Sequence, residues 1–346
     1  MSATSKPVSR HSASGHPPYE APIDDHRGGG PFAAPPFAAH ARPRGRAGAP
    51  SDVRFRRVGS GPPLLLIHPI GADRQFWDVI LPRFSQLRDV IVPDLPGHGE
   101  SPRLPSADPP TPKRLAASLA ALLDELEIDR AHVCGVSLGA WVGLELAAMG
   151  RALSVAAMCP SGLSHDVPQL RRPPRAVVPI MPIALRSMSF RRRVLGTVIA
   201  HPERAPFGDL VHYTRSLATA PGFASTLRET KRSRFSSWDT IDVPVTLAWG
   251  EHDAQVQPIA PPRPWIRWDV LAGCGHAAPV WDNPGEVGRV LLRASNACSP
   301  RNEEELMARD WIAAYRDADV SDGAGRHDEA QKQTVKSYAT AGPHPY

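Results

Sequence analysis

Ala131-His132-Val133-Cys134-Gly135-Val136-Ser137-Leu138-Gly139 joins a short apolar run to a segment, residues 138–149, made mostly of small and apolar residues. The run reads as a strand and the segment as a helix, which makes Gly135-Val136-Ser137-Leu138-Gly139 a G-x-S-x-G element at a strand-to-helix turn. Such a turn holds its serine in a tight backbone geometry, so the residues two before and two after must be small. Gly135 and Gly139 meet that requirement. The five-residue pattern alone recurs by chance, and the strand and helix around it give it weight. The plainer alternative is a glycine-rich turn whose serine caps the helix.

Similar apolar runs lie on both sides. Leu64-Leu65-Leu66-Ile67, Val90-Ile91-Val92, residues 153–157, 243–248 and 265–270 read as strands, the first like one buried on both faces. Residues 53–58 alternate like a strand with one exposed face, and Gly59-Ser60-Gly61-Pro62 turns the chain. Thr111 to Leu126 places Leu115, Leu119, Leu122, Leu123 and Leu126 on one helical face, with Thr111 as N-cap and Pro112 at the first helical position. Asn283 to Ala294 is a further helix. Strands alternating with helices predict an α/β fold, a mostly parallel sheet with helices on both faces, built from residues 51–161 and 238–297. Only 11 residues, four of them proline, separate Asp253 from Trp265, so the crossover helix expected there must be short or missing.

Residues 162–237 interrupt this rhythm with 13 Arg or Lys against four acids, and with an apolar patch of Val177, Val178, Ile180, Met181, Ile183 and Leu185. They read as an inserted cap over the carboxyl ends of the strands, with Ile180, Met181, Ile183 and Leu185 expected to line an acyl pocket. The arginines read first as solvated surface and second as an attraction for an anionic substrate. Residues 1–50 hold nine Pro and six Gly, and are expected to be disordered. Residues 298–346 are expected to form a short helix from Asn302 to Arg316 and a mobile tail.

The 346 residues carry a net charge of +5, with no basic run interleaved with aromatics, which argues against a nucleic-acid partner. Cys134, Cys159, Cys274 and Cys298 show no metal-ligand or C-x-x-C spacing. No secretory signal and no apolar run of transmembrane length is seen, so a cytoplasmic chain is expected.

A serine hydroxyl needs a base before it can attack. His276 lies in Leu271-Ala272-Gly273-Cys274-Gly275-His276, after the last strand, where glycines let the loop fold inward. Asp253 follows the preceding strand in Trp249-Gly250-Glu251-His252-Asp253 and can accept the other imidazole N–H. The chain order Ser137, Asp253, His276 and the position of each after a parallel strand suit a site at the carboxyl edge of an α/β sheet. Two backbone donors are needed for the oxyanion. Leu138 N–H is one, and in His68-Pro69-Ile70-Gly71 the other falls to Ile70, because Pro69 has no N–H.

With Val92-Pro93-Asp94-Leu95-Pro96-Gly97-His98-Gly99-Glu100-Ser101, these motifs resemble the α/β-hydrolase superfamily over roughly residues 52–297. The His68–Gly71 stretch, with Phe76-Trp77 nearby, is most similar to the branch of enol-lactone hydrolases, small esterases, C–C bond hydrolases and cofactor-free haloperoxidases. The resemblance implies the family fold, an acyl-serine mechanism and a mobile cap. Members that work on haloalkanes or epoxides carry aspartate at the elbow, and Ser137 argues against both. Pro69 departs from the family by standing where many members have glycine.

The expected activity is therefore cleavage of an ester, lactone or related acyl bond in a small molecule, without cofactor or metal. C–C hydrolysis and perhydrolysis are alternatives on the same triad, and a non-catalytic binder is the alternative of another class. His68 and His98 read as loop-shaping hydrogen bonders and Asp94 as the anchor of the Gly97–Gly99 loop. Asp166 is a weaker candidate acid than Asp253, Cys274 reads as packing, and His252 and His276 have no third metal ligand in view.

Overall fold

A computed structural model describes residues 51–163, 172–259, 263 and 265–295 of the chain. The expectations for the first 50 residues, for Asp166, for Cys298 and for a helix from Asn302 fall outside them. Seven strands form one sheet: β1 (Phe55–Val58), β2 (Pro63–Ile67), β3 (Asp89–Pro93), β4 (Ala131–Val136), β5 (Ala152–Met158), β6 (Val245–Gly250) and β7 (Arg267–Leu271). Their order across the sheet is β1-β3-β2-β4-β5-β6-β7, with β1 antiparallel to β3 and every other pair parallel.

Among the described residues nine α-helical segments accompany them: α1 (Leu81–Phe84), α2 (Pro112–Glu125), α3 (Leu138–Ala148), α4 (Met181–Ala184), α5 (Met188–Leu195), α6 (Phe207–Thr219), α7 (Phe223–Arg232), α8 (Pro279–Asp282) and α9 (Pro284–Ala294). The all-apolar reading of β2 has a simple cause, since successive side chains of a strand point to opposite faces. Leu64 and Leu66 pack with Val287, Val290 and Leu291 of α9 on one face. Leu65 and Ile67 pack with Leu115, Leu119 and Leu122 of α2 and Trp141 of α3 on the other. Helices thus cover both faces of the sheet.

The outer strand β1 carries Arg57, bonded to Asp89 on β3 at 2.7 Å, and charges of this kind protect a sheet edge. Helix α2 begins as its sequence requires, with the Thr111 side chain accepting from Arg114 N–H. Between β6 and β7 no helix occurs among the described residues, in line with the proline-rich crossover.

Helices α4 to α7 lie between β5 and β6 and reach the loops that follow the strands. Gly222 N–H donates to Gly97 O at 2.8 Å, after β3, and Ala277 N–H donates to Val198 O at 2.7 Å, after β7. The apolar patch of this insertion corrects one expectation. Met181 and Leu185 are buried, but Ile180 and Ile183 are 58% and 68% exposed and do not line an enclosed pocket. The four-residue helix α4, with prolines at 179 and 182, turns those two side chains outward.

Candidate active site

Strand β4 ends at Val136, and Ser137 takes φ 54° and ψ −111° before α3 begins. That backbone is costly for any residue with a side chain, by about 1–3 kcal/mol, so the surroundings must impose it. Ser137 N–H donates to Met158 O at 2.9 Å on the neighbouring strand, while Ser137 O accepts from Trp141 and Ser161 N–H at 3.2 Å. The flanking glycines are required by contact. A Cβ on Gly135 would lie 2.3 Å from Gly139 O, and one on Gly139 would lie 2.2 Å from Ile67 O.

The loop after β7 brings His276 to this turn, and the structure places the three side chains together. Ser137 Oγ lies 3.0 Å from His276 Nε2, and His276 Nδ1 lies 2.8 Å from Asp253 Oδ2. All three side chains are almost fully buried. An ionised Asp253 can only accept, so Nδ1 carries the proton and Nε2 presents a lone pair to the serine hydroxyl. The other carboxylate oxygen, Oδ1, accepts from Gln255 and Val256 N–H at 2.8 and 3.0 Å, which orients the acid. Gly250 and Gly275 allow the close approach, since a Cβ on Gly250 would lie 2.5 Å from both Cys274 O and Gly275 O.

The loop after β2 lies against the elbow, because Ile67 O and His68 O are the atoms nearest Gly139. It is held by His68, whose Nδ1–H donates to Pro69 O at 2.8 Å and whose Nε2 accepts from Leu95 N–H at 2.9 Å. Both ring nitrogens are thereby used, and burial pushes the imidazole toward its neutral form. Ala72 N–H closes the turn onto Pro69 O at 3.2 Å, and Gly71 sits at φ 80°. Ile70 lies inside this turn, and Leu138 is the first residue of α3, where backbone N–H groups have no intrahelical acceptor.

His98 is buried beside His68, with ring centroids 5.5 Å apart, and burial first of all lowers its pKa to about 3. Asp94 binds Arg74 through an ion pair and accepts from Arg74 N–H at 2.7 Å and Glu100 N–H at 2.9 Å, closing the Gly97–Gly99 loop.

Three features escaped the sequence reading. Buried Asp282 accepts from Gly275 N–H at 2.8 Å, Ala200 N–H at 3.1 Å and His201 N–H at 2.6 Å, tying the His276 loop to the insertion. Asp73, three residues beyond Ile70, takes His212 Nε2 at 2.6 Å and the Ser216 hydroxyl at 2.7 Å, both from α6. Cys159 lies where ligand atoms of Cys159, Asp253 and His276 fall within 4.8 Å of one another. Burial first, and then the Asp253 charge, push that thiol well above its ordinary range. A metal ion there would have to displace the Asp253–His276 hydrogen bond, so the three residues fit an acid–base pair with a neutral thiol beside it. No spacing signal marks these residues, whose partners lie far away in the chain. Asp282, with its own helix cap Asn283-Pro284 beside it, offered only a weak local hint.

Residues 64–290 match the model of the alpha/beta hydrolase family. The chain belongs to that family. An uncharacterized protein of Mycobacterium tuberculosis is 28% identical over 288 residues, covering 74% of this chain and 81% of its own. A pimeloyl-[acyl-carrier protein] methyl ester esterase of Aeromonas hydrophila is 37% identical over 96 residues, covering 28% of this chain and 36% of its own. Among solved structures, the enol-lactonase of Burkholderia xenovorans is 22% identical with a TM-score of 0.54, covering 71% of this chain and 95% of its own. That last likeness is one of alpha/beta hydrolase fold.

Proposed function

We propose that this alpha/beta hydrolase cleaves a carboxylic ester, lactone or related acyl bond through an acyl-Ser137 intermediate. The observation that carries the reading is the buried chain of hydrogen bonds from Ser137 through His276 to Asp253, at 3.0 and 2.8 Å. In this mechanism His276 Nε2 takes the hydroxyl proton as Ser137 Oγ bonds to the substrate carbonyl carbon. The imidazolium that forms is stabilised by Asp253, and the oxyanion is held by the N–H groups of Leu138 and Ile70. His276 then returns the proton to the departing oxygen, and water attacks the acyl-serine by the same route in reverse.

Residues 162–237 act as the cap in this proposal, supported by their contacts to the loops after β2, β3 and β7. The described cysteines are all free and buried, which fits a cytoplasmic chain. Retention of a paired Ser, His and Asp disfavours the non-catalytic alternative, since a binder does not need the pair.

The test uses the whole chain with a fluorophosphonate probe and a panel of p-nitrophenyl esters and lactones. Wild type should be labelled at Ser137, and Ser137→Ala should not. His276→Ala and Asp253→Asn should each lower kcat by about 10⁴-fold, and the Ser137→Ala/His276→Ala double variant should be little worse than either single one. No labelling and no turnover on any acyl substrate would refute the proposal, and near-full activity of Asp253→Asn would remove Asp253 from it.

A further inference from the structure

Four of the five large apolar side chains that are exposed among the described residues fall in one stretch of 15 residues: Ile180, Ile183, Met188 and Val194. This stretch already has its inward set, since Met181, Leu185 and Leu195 are buried. The outward set is therefore additional to what packing needs. Ile180 and Ile183 stand three residues apart, on one side of a helical turn.

Cations accompany these side chains along the same stretch of chain. Residues 172–202 contain six arginines and no Asp or Glu. Arg175, Arg186, Arg192 and Arg193 are exposed. The nearest carboxylate to Arg192 is that of Glu203, at 4.0 Å, and Arg186 and Arg193 make no ion pair among the described residues. The Arg186 and Arg191 guanidinium groups lie over the Phe207 ring at 5.6 and 5.5 Å, which fixes the base of the face.

Exposed apolar side chains concentrated in one short segment suit a docking surface, and the charge that accompanies them selects the partner. A second copy of this face would bring arginine against arginine, which opposes self-association. Nucleic acid would use the arginines but has no use for Ile, Met and Val, which do not stack on bases. An anionic bilayer satisfies both sets at once. Apolar side chains enter the headgroup boundary while arginines extend to lipid phosphates, on flexible stems that let the charge stay in water.

We propose that residues 175–194 form a peripheral docking surface for an anionic phospholipid bilayer. The surface is interfacial, since no helix among the described residues is long and apolar enough to cross a membrane. The proposal does not depend on the chemistry assigned to Ser137.

The experiment is flotation of the full chain with vesicles of phosphatidylcholine alone, or with about 30% phosphatidylglycerol, at low and high salt. The chain should float with the anionic vesicles at about 0.05 M salt, be released at about 0.5 M, and ignore the neutral ones. Arg186→Gln/Arg192→Gln/Arg193→Gln should lower partitioning about 100-fold, and Ile180→Ser/Ile183→Ser about tenfold or more. All five positions are exposed, and the arginine set gives up only the Arg186–Phe207 contact and the long Arg192–Glu203 pair, so both variants should stay folded, with melting within a few degrees of wild type. No flotation of wild type on anionic vesicles would overturn the proposal, as would partitioning unchanged in both variants. Loss with the arginine set but not the isoleucine set would reduce the face to a plain anion-attracting surface. A concentration-dependent dimer in sedimentation, broken by Ile183→Ser without vesicle binding, would assign the face to a second copy.

Discussion

Helix propensity and tertiary contact make opposite predictions for Gly139→Ala, so this substitution separates them. Gly139 is the second residue of α3, where alanine would be favoured over glycine by about 1 kcal/mol. In the structure, however, the new Cβ would lie 2.2 Å from Ile67 O, 2.7 Å from Ile67 C and 2.8 Å from His68 O. These are backbone atoms that no rotamer change can move. Relief needs about 1 Å of separation between the end of β2 and the start of α3. Ile67 is in register with Gly135 across the β2–β4 pair, so the shift passes on to the turn that holds Ile70. On the proposed mechanism, Leu138 and Ile70 N–H groups would then no longer converge. A misplacement of that size costs about 100-fold in rate. Gly139→Ala should therefore have kcat lowered about 100-fold with KM little changed, and stability lowered by about 1–3 kcal/mol despite the helix gain. The assay is steady-state ester hydrolysis, with sites counted by a fluorophosphonate probe and stability read by thermal melting. A variant with raised Tm and kcat within about threefold of wild type would refute the argument that this contact positions the oxyanion donors.

The Asp73–His212–Ser216 cluster should make stability depend on pH in a defined direction. Burial would raise the Asp73 pKa, but hydrogen bonding and charge from His212 hold it at about 2, and Asp73 in turn raises His212 against its own burial. The histidine contribution is complete below its unfolded pKa of about 6.5 and is lost as pH rises through the higher folded value. The aspartate contribution is complete above about 4 and is lost as pH falls toward 2. Buried His68 and His98, whose pKa values are lowered, add stability over the same rise in pH and are common to both proteins, so the readout is the difference. In urea unfolding the stability of wild type over His212→Gln should shrink from about pH 6 to about pH 8.5, and an unchanged difference would mean the pair is not linked to folding. Asp282→Ala would leave the Gly275, Ala200 and His201 N–H groups without their acceptor, and should cost about 3 kcal/mol in urea unfolding and about tenfold in kcat. A loss below about 0.5 kcal/mol would show that water replaces the carboxylate.

Much of the sheet was legible because strands covered on both faces read as unbroken apolar runs, and Leu64–Ile67 is such a run. The outer strand β7 was placed at residues 265–270 and forms at Arg267–Leu271, because only one of its faces is well covered and its pattern is weaker. Thr111, Pro112 and Asn283 marked helix starts correctly, since capping is a local event. Ser137, His276 and Asp253 could be proposed from their positions after three strands. Helix α6 was not, although Leu210, Tyr213, Thr214 and Leu217 are buried at helical spacing. Tyr and Thr dilute the apolar period, and arginine dominates the surrounding composition. The orientation of Ile180 and Ile183 was read wrongly because four helical residues between prolines carry too little period to choose a face. Asp282 and Asp73 were missed because a buried carboxylate is identified by donors that other elements supply.

Ser137 is made long before the base proposed for it. Ser137 and His276 are 139 residues apart, with β5, α4 to α7, β6 and β7 synthesised between them. At a translation rate of roughly 5–20 residues per second, the nascent chain carries the elbow for roughly 7–28 s before the imidazole leaves the ribosome. Until β7 closes onto β6, nothing on the chain can take the Ser137 proton by the proposed route. On the proposed mechanism, acylation of Ser137 therefore waits until the last strand of the sheet has been made.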